Sequence, residues 1–191
     1  ASPTPPSWYE LFQSNPSAAI DPTDGSVLLL FKGRSSLNAS LMSTGVATAP
    51  HWRGPYTVSP DGPIPVPGHC EDAGVYRSPS SGIYRALFHC GCEYQLVWSA
   101  DGRKWYPTAP PVEWCKDVAW SGGGGAAALE RRERPQWLLG DDGHPTHILN
   151  GVRIAAPDPV HDGRSWTLVT ALRAPPAEPP GGTCHFSYSP Q

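Results

Sequence analysis

Short apolar runs recur along this chain, each set just behind a glycine. Val27-Leu28-Leu29-Leu30 follows Gly25, Ile83-Tyr84-Arg85-Ala86-Leu87 follows Gly82, and Thr146-His147-Ile148 follows Gly143. Runs this short, bounded by turn residues, predict strands rather than helices. Ten positions before each glycine stands a polar or acidic residue: Asn15, Asp72 and Glu133. A second landmark, Asp-Gly-Arg with a Trp two residues later, occurs at 101–105 and 162–166, each starting 29 positions after Asp72 or Glu133. Two landmarks therefore repeat at 61 residues, while Asn15 precedes Asp72 by 57, a difference that loop length absorbs. Each unit reads as strand, tight turn, strand and a further hairpin, with Leu96-Val97-Trp98 before Asp101-Gly102 and Trp105-Tyr106 after it.

One sheet of this kind cannot bury both of its faces alone. Radial stacking of repeated sheets solves the problem, so the pattern predicts an all-β β-propeller of four-stranded blades. A β-sandwich is the competing all-β fold, but it gives no reason for a repeat of this length. Blade units near 15–70, 71–132 and 133–173 make a partial propeller over 1–173, followed by a Pro/Gly-rich tail at 174–191 with a terminal strand or extension. Closed propellers have at least about four blades. The ring is thus expected to be completed by sequence outside this chain, by another chain, or by a blade hidden near 171–191. The run 121–128, with its four consecutive glycines, reads as an inter-blade loop. The opening Ala1-Ser2-Pro3, without Met, reads as a processed or trimmed terminus.

Composition supports short strands and many turns. There are 20 glycines and 24 prolines among 191 residues, about twice the usual share, which is hostile to long helices. Disorder does not follow, because 8 Trp, 7 Tyr and 4 Phe supply large surfaces that need burial. Net charge is −3, and the basic residues are scattered apart from Arg131, Arg132 and Arg134, so no nucleic-acid partner is expected. No apolar run approaches the roughly 18 residues of a membrane span, and no membrane association is expected. Five cysteines (Cys70, Cys90, Cys92, Cys115, Cys184) and the sequon Asn38-Ala39-Ser40 point to a secreted, extracellular, disulfide-bonded glycoprotein with its glycan on Asn38. An odd count leaves the pairing open and one thiol over, which could link another chain. His89-Cys90-Gly91-Cys92 has C-x-C rather than the C-x2-C spacing of zinc sites, so no metal ligands are assigned. No cofactor is expected, with a channel-bound cation such as calcium left open.

In a propeller the first strand of every blade lines the central channel, so Asn15, Asp72 and Glu133 would converge there. Two converging carboxylates are the equipment of glycosidic bond cleavage, one as protonated acid and one to orient substrate or tune that acid. Three segments carry a family resemblance: Gly45-Val46-Ala47-Thr48-Ala49 with Arg53-Gly54-Pro55-Tyr56, then Glu71-Asp72-Ala73-Gly74-Val75-Tyr76, then Glu133-Arg134-Pro135-Gln136-Trp137. In order and spacing, over roughly 15–155, they resemble the five-bladed propellers of glycoside hydrolase family 43 and its relatives in family 32. The resemblance implies a carbohydrate-active protein with Glu133 as general acid and Asp72 as the carboxylate that tunes it. It also places the catalytic base at Asn15, whose amide cannot act as one, and Ala73 stands where the family has Pro. Two functions are therefore expected to compete. One is a polysaccharide hydrolase whose base comes from outside this chain. The other is a non-catalytic glycan-binding or structural module of an extracellular glycoprotein assembly, favoured by the missing base.

Neighbouring residues refine these expectations. Strand alternation places Arg131 on the side of Glu133 and sends Arg132 and Arg134 to the other face. An Arg this close lowers a carboxyl pKa, whereas a general acid needs it raised, so an ion-pair role for Glu133 competes with catalysis. Asp72 could equally be a strand-end residue accepting backbone N–H groups. Trp52, Tyr76 and Trp137 lie nearest the motifs and, with Asn15, Arg131 and His147, are the expected sugar contacts. Trp105 and Trp166 recur with the repeat and are assigned to packing. His144 and His147 follow the third turn and could reach the channel or an ion. Ser99 to Trp105 also resembles the sialidase Asp-box turn, one residue short.

Overall fold

The computed structural model describes residues 8–35, 42–91, 93–108, 112–113, 117–121, 125–154 and 165–172. No helix occurs among them. The first sheet holds β1 (Phe12–Ile20), β2 (Val27–Arg34), β3 (Met42–Ala49) and β4 (Thr57–Val58), antiparallel and in chain order. The second holds β5 (Glu71–Arg77), β6 (Tyr84–Cys90) and β7 (Glu93–Ser99). Its fourth position is shared between β8 (Tyr106–Pro107) and β9 (Val112–Glu113), which pair with different parts of β7. The third holds β10 (Asp117–Ala119), β11 (Ala126–Leu139), β12 (Pro145–Ile154) and β13 (Trp166–Ala171). At the hub β1 packs on β5, and β5 on β11. These are the antiparallel four-stranded sheets of a β-propeller, three of them in sequence.

The apolar runs behind the glycines become the second strands. β2 and β6 are buried at nearly every position, as strands covered on both faces must be. One core joins the first two sheets, with Leu28, Leu30 and Val46 against Val75, Phe88, Val97 and Trp105. A second joins the other seam, where Leu87 and Leu96 meet Trp137 and Ile148. The outer side of the first sheet is covered by Trp8, whose ring stacks on Phe31 at 5.2 Å and lies over Gly33 and Gly45.

Two sequence expectations shift here. The expected boundary at 132/133 falls inside β11, which pairs with β10 through Ala126–Ala128 and with β12 beyond. The third sheet thus begins at Asp117 rather than at Glu133. For the same reason the stretch expected as an inter-blade loop at 121–128 falls within one sheet: Ala126–Ala128 belong to β11 and pair with β10, and the Trp120 N–H donates to the Gly125 carbonyl at 3.1 Å. Asp162-Gly163, Asn38, the tail at 174–191 and Cys92, Cys115 and Cys184 lie outside the described residues.

The turn at Asp101 shows how one side chain shapes a hairpin. Its carboxylate accepts the Arg103 and Lys104 N–H groups at 2.8 and 2.9 Å and the Ser99 hydroxyl at 3.1 Å. Gly102 takes a left-handed φ of 74°, and its carbonyl accepts the indole N–H of buried Trp105. Hydrogen bonds from the Lys104 and then the Arg103 N–H hold the Asp101 carboxyl below its usual pKa. Asp101→Ala is expected to cost about 0.5–1 kcal/mol, at the low end for two lost N–H bonds because the turn is solvated. The depressed pKa makes this contribution present above the unfolded carboxyl pKa of about 3.9 and lost as pH falls through the folded value. Urea midpoints of wild type and variant should converge in acid; a pH-independent gap would contradict it.

Candidate functional site

Among the described residues, three that are not glycine have left-handed backbone: Asn15 (φ 51°), Asp72 (φ 54°) and Arg134 (φ 56°). Each sits at a break in the pairing of a hub strand, between Ser14 and Ser17, Glu71 and Gly74, and Glu133 and Gln136. These are β-bulges, which re-aim a side chain out of the strand's alternation. Asn and Asp tolerate this conformation; for Arg it is strained. The residue after each bulge is Pro16, Ala73 or Pro135, and a proline there leaves no unpaired N–H behind.

The three bulges meet in one shallow pocket of about 150 Å³, lined by Asn15, Pro16, Asp72, Ala73, Arg134 and Gln136. Asn15 Nδ2 donates to Asp72 Oδ1, and Arg134 Nε lies 3.5 Å from Asp72 Oδ2. Gln136 Nε2 donates to the Ala73 carbonyl at 3.2 Å. Asn15 and Gln136 thus each give their NH2 to the protein, and an amide oxygen can accept a further hydrogen bond. Burial pushes the Asp72 carboxyl above its usual pKa, and the adjacent Glu71 charge adds to this. Arg134, His89 and Lys32 oppose the rise.

Beneath Asp72 lies its support. Lys32, whose side chain is 3% exposed, reaches from β2 to pair with Glu71. Ligand atoms of Glu71, Asp72 and His89 fall within 4.8 Å of one another, but the Lys32 ammonium already supplies the positive charge that a cation would bring. A disulfide joins Cys70, just before Glu71, to Cys90, just after His89, with Cα atoms 4.1 Å apart. It staples the start of β5 to the end of β6 under the pocket.

Several expected site residues take other places. Glu133 is one position upstream of its bulge and pairs with Arg131 at 3.5 Å; it does not line the pocket, and Arg134 stands there instead. The cause is a shortened turn. The Gly25 and Gly82 N–H groups bond carbonyls four residues back, at Asp21 and Ser78, whereas Gly143 bonds Gly140, three back. Counting ten positions back from Gly143 therefore lands one residue too early. The bulge also overturns the expectation that Arg134 points away from the acids; Arg132 does turn to the other side, buried against Asn150 and Thr170. Tyr76 is 3% exposed and packs edge-on to Trp137 at 5.2 Å, and the Trp137 indole donates to the Gly74 carbonyl at 2.9 Å. Both rings hold the seam rather than offering a face to sugar. Trp52 is 58% exposed, with Arg53 over its ring, but it follows the Ala49 end of β3. The Asn15 bulge lies at the level of Thr44, about 16 Å away along the strand. His144 and His147 likewise lie at the Gly143 turn, while Glu133 pairs with Gly151 near the opposite end of β12. Glu71, Lys32 and Gln136 join the site with no spacing in the sequence to mark them, and Arg134 joins it against strand alternation. The shared Pro after Asn15 and Arg134 is the signal that could have found the third bulge.

No protein-family model matches the chain, and no curated protein does. Among solved structures it is similar to exo-β-1,3-galactanase from Phanerochaete chrysosporium, at 14% identity and a TM-score of 0.46, covering 76% of this chain and 30% of that one. Fructan 1-exohydrolase IIa from Cichorium intybus gives 14% and 0.47, covering 80% and 29%. α-L-arabinofuranosidase from Lactobacillus brevis gives 12% and 0.42, covering 94% and 77%. The chain thus spans about 30% of the length of the first two. The solved structures it is similar to include propeller enzymes of the family 43 and family 32 glycoside hydrolase type, at low identity and partial coverage.

Proposed function

We propose that this chain is the glycan-binding part of an extracellular propeller protein, similar to family 43 glycoside hydrolases but not itself cleaving glycosidic bonds at the bulge pocket. One observation carries the reading: the three bulges bring an amide, a single carboxyl and a guanidinium to one pocket. Canonical hydrolysis uses two carboxyls flanking the scissile bond. Here Asn15 cannot take up a proton and Arg134 does not give one up. Sugar hydroxyls, by contrast, suit a mixture of fixed donors and acceptors. The Cys70–Cys90 disulfide supports an oxidising, extracellular setting.

The test is calorimetric titration of arabino-, galacto- and fructo-oligosaccharides into the wild type and into Asp72→Asn. Asn keeps the size and the left-handed backbone, so the fold is expected to persist. Because burial raises the Asp72 pKa, ionising it opposes folding as pH rises through that raised value; at neutral pH the variant should be at least as stable as wild type. Its affinity for the neutral oligosaccharides is expected to fall about tenfold, because Asp72 fixes the Asn15 and Arg134 side chains and the charge-assisted contact that positions Arg134 is lost. No binding by the wild type would overturn the reading. Reducing sugar released by wild type and lost in Glu133→Gln would replace it with hydrolysis.

A further inference from the structure

The nearby cations differ in how far they are committed. Lys32 is buried and paired with Glu71, and Arg131 lies against Glu133. Arg134 Nε lies 3.5 Å from Asp72 Oδ2, and the Arg134 side chain, which lines the pocket, is 72% exposed. Its backbone is strained toward that position (φ 56°), and strain held in a non-glycine residue points to a functional constraint. The planar end of a guanidinium matches a carboxylate with two parallel bonds, whereas a hydroxyl uses one and leaves the charge uncompensated. Around it, Asn15 and Gln136 offer amide oxygens on the same pocket wall, acceptors suited to ring hydroxyls.

We propose that the pocket is selective for an acidic sugar, a hexuronate whose carboxylate pairs with the outer nitrogens of Arg134 while its hydroxyls donate to Asn15 and Gln136. This rests on the glycan-binding reading above and names its ligand class. The one opposing charge, Asp72, is compensated on two sides by Asn15 and Arg134.

The experiment compares a galacturonate trimer with a galactose trimer on the whole chain, by calorimetry at low and high salt. The acidic trimer is expected to bind about tenfold more tightly at low salt, as a charge-assisted pair should, and the advantage should shrink with added salt. Arg134→Gln is expected to remove the preference, bringing the ratio of the two trimers' affinities to about one and abolishing its salt dependence. Arg103→Gln, which touches Asp61 instead, controls for loss of a surface charge and should keep the preference. Equal binding of the two trimers by wild type overturns the acidic-sugar assignment and leaves glycan binding standing. Failure of both trimers to bind overturns both. If Arg134→Gln does not fold, the comparison of trimers and its salt dependence still decide the matter on wild type.

Discussion

Gly74→Ala is expected to open the seam between the second and third sheets and to cost about 2–3 kcal/mol, the upper range for forcing a methyl into a packed interior. A Cβ at this position would collide with the Pro135 carbonyl oxygen and sit 3.1 Å from Gln136 Cα and 3.2 Å from Pro135 C. Those are backbone atoms of the third bulge and cannot swing aside as a side-chain tip would. Two bonds register the bulge on β5: Trp137 to the Gly74 carbonyl and Gln136 to the Ala73 carbonyl. Separation would loosen both and move Arg134 off Asp72. Urea unfolding followed by tryptophan fluorescence measures the loss. A wild-type midpoint would mean that the third sheet is not held through this contact.

Breaking the Cys70–Cys90 disulfide is expected to have an effect of similar size. The closed loop spans 20 residues, for which chain entropy gives about 3 kcal/mol. The consequence extends to binding, since Asp72 is two residues from one half-cystine and His89 is adjacent to the other. Without the staple the left-handed backbone at Asp72 must be held by Lys32, Asn15 and Arg134 alone, and glycan affinity should fall about tenfold, a little over 1 kcal/mol. Comparing the wild type with Cys70→Ala/Cys90→Ala in thermal melts and in the titrations above checks both effects. Unchanged affinity in a less stable protein would show that the bridge serves the fold but not the pocket.

Much of the blade pattern was legible because it is written in short-range chemistry. Glycines at turns, apolar runs behind them and the Asp-Gly hairpin at 101–102 specify strands and their order, and β2, β6, β7 and β8 lie where that pattern predicts. The bulges were not legible. A bulge is one residue left out of register, and a rule of strict alternation assigns every side chain beyond it to the wrong face; this misplaced Arg134. A turn shortened by one residue, with no change in its Asp and Gly signature, displaced the third anchor from Arg134 to Glu133. Tyr76 and Trp52 show a different limit. Proximity in sequence to a motif says nothing about whether a ring faces a neighbouring sheet or which end of the strand it occupies; that is settled only by pairing register.

The backbone at the three bulges is a single mould cast three times, and what differs is the side chain each copy presents: amide, acid, guanidinium. The scaffold can therefore change its ligand by changing letters, with the frame around them left as it is. Asn15→Asp would set a second carboxyl against Asp72 at no cost in backbone geometry, since both residues accept this conformation. Arg134→Asn would relieve strain and erase the charge at the mouth. Recognition in such a protein is a matter of which side chains occupy three like sockets, with the middle one, Asp72, coupled to both of the others.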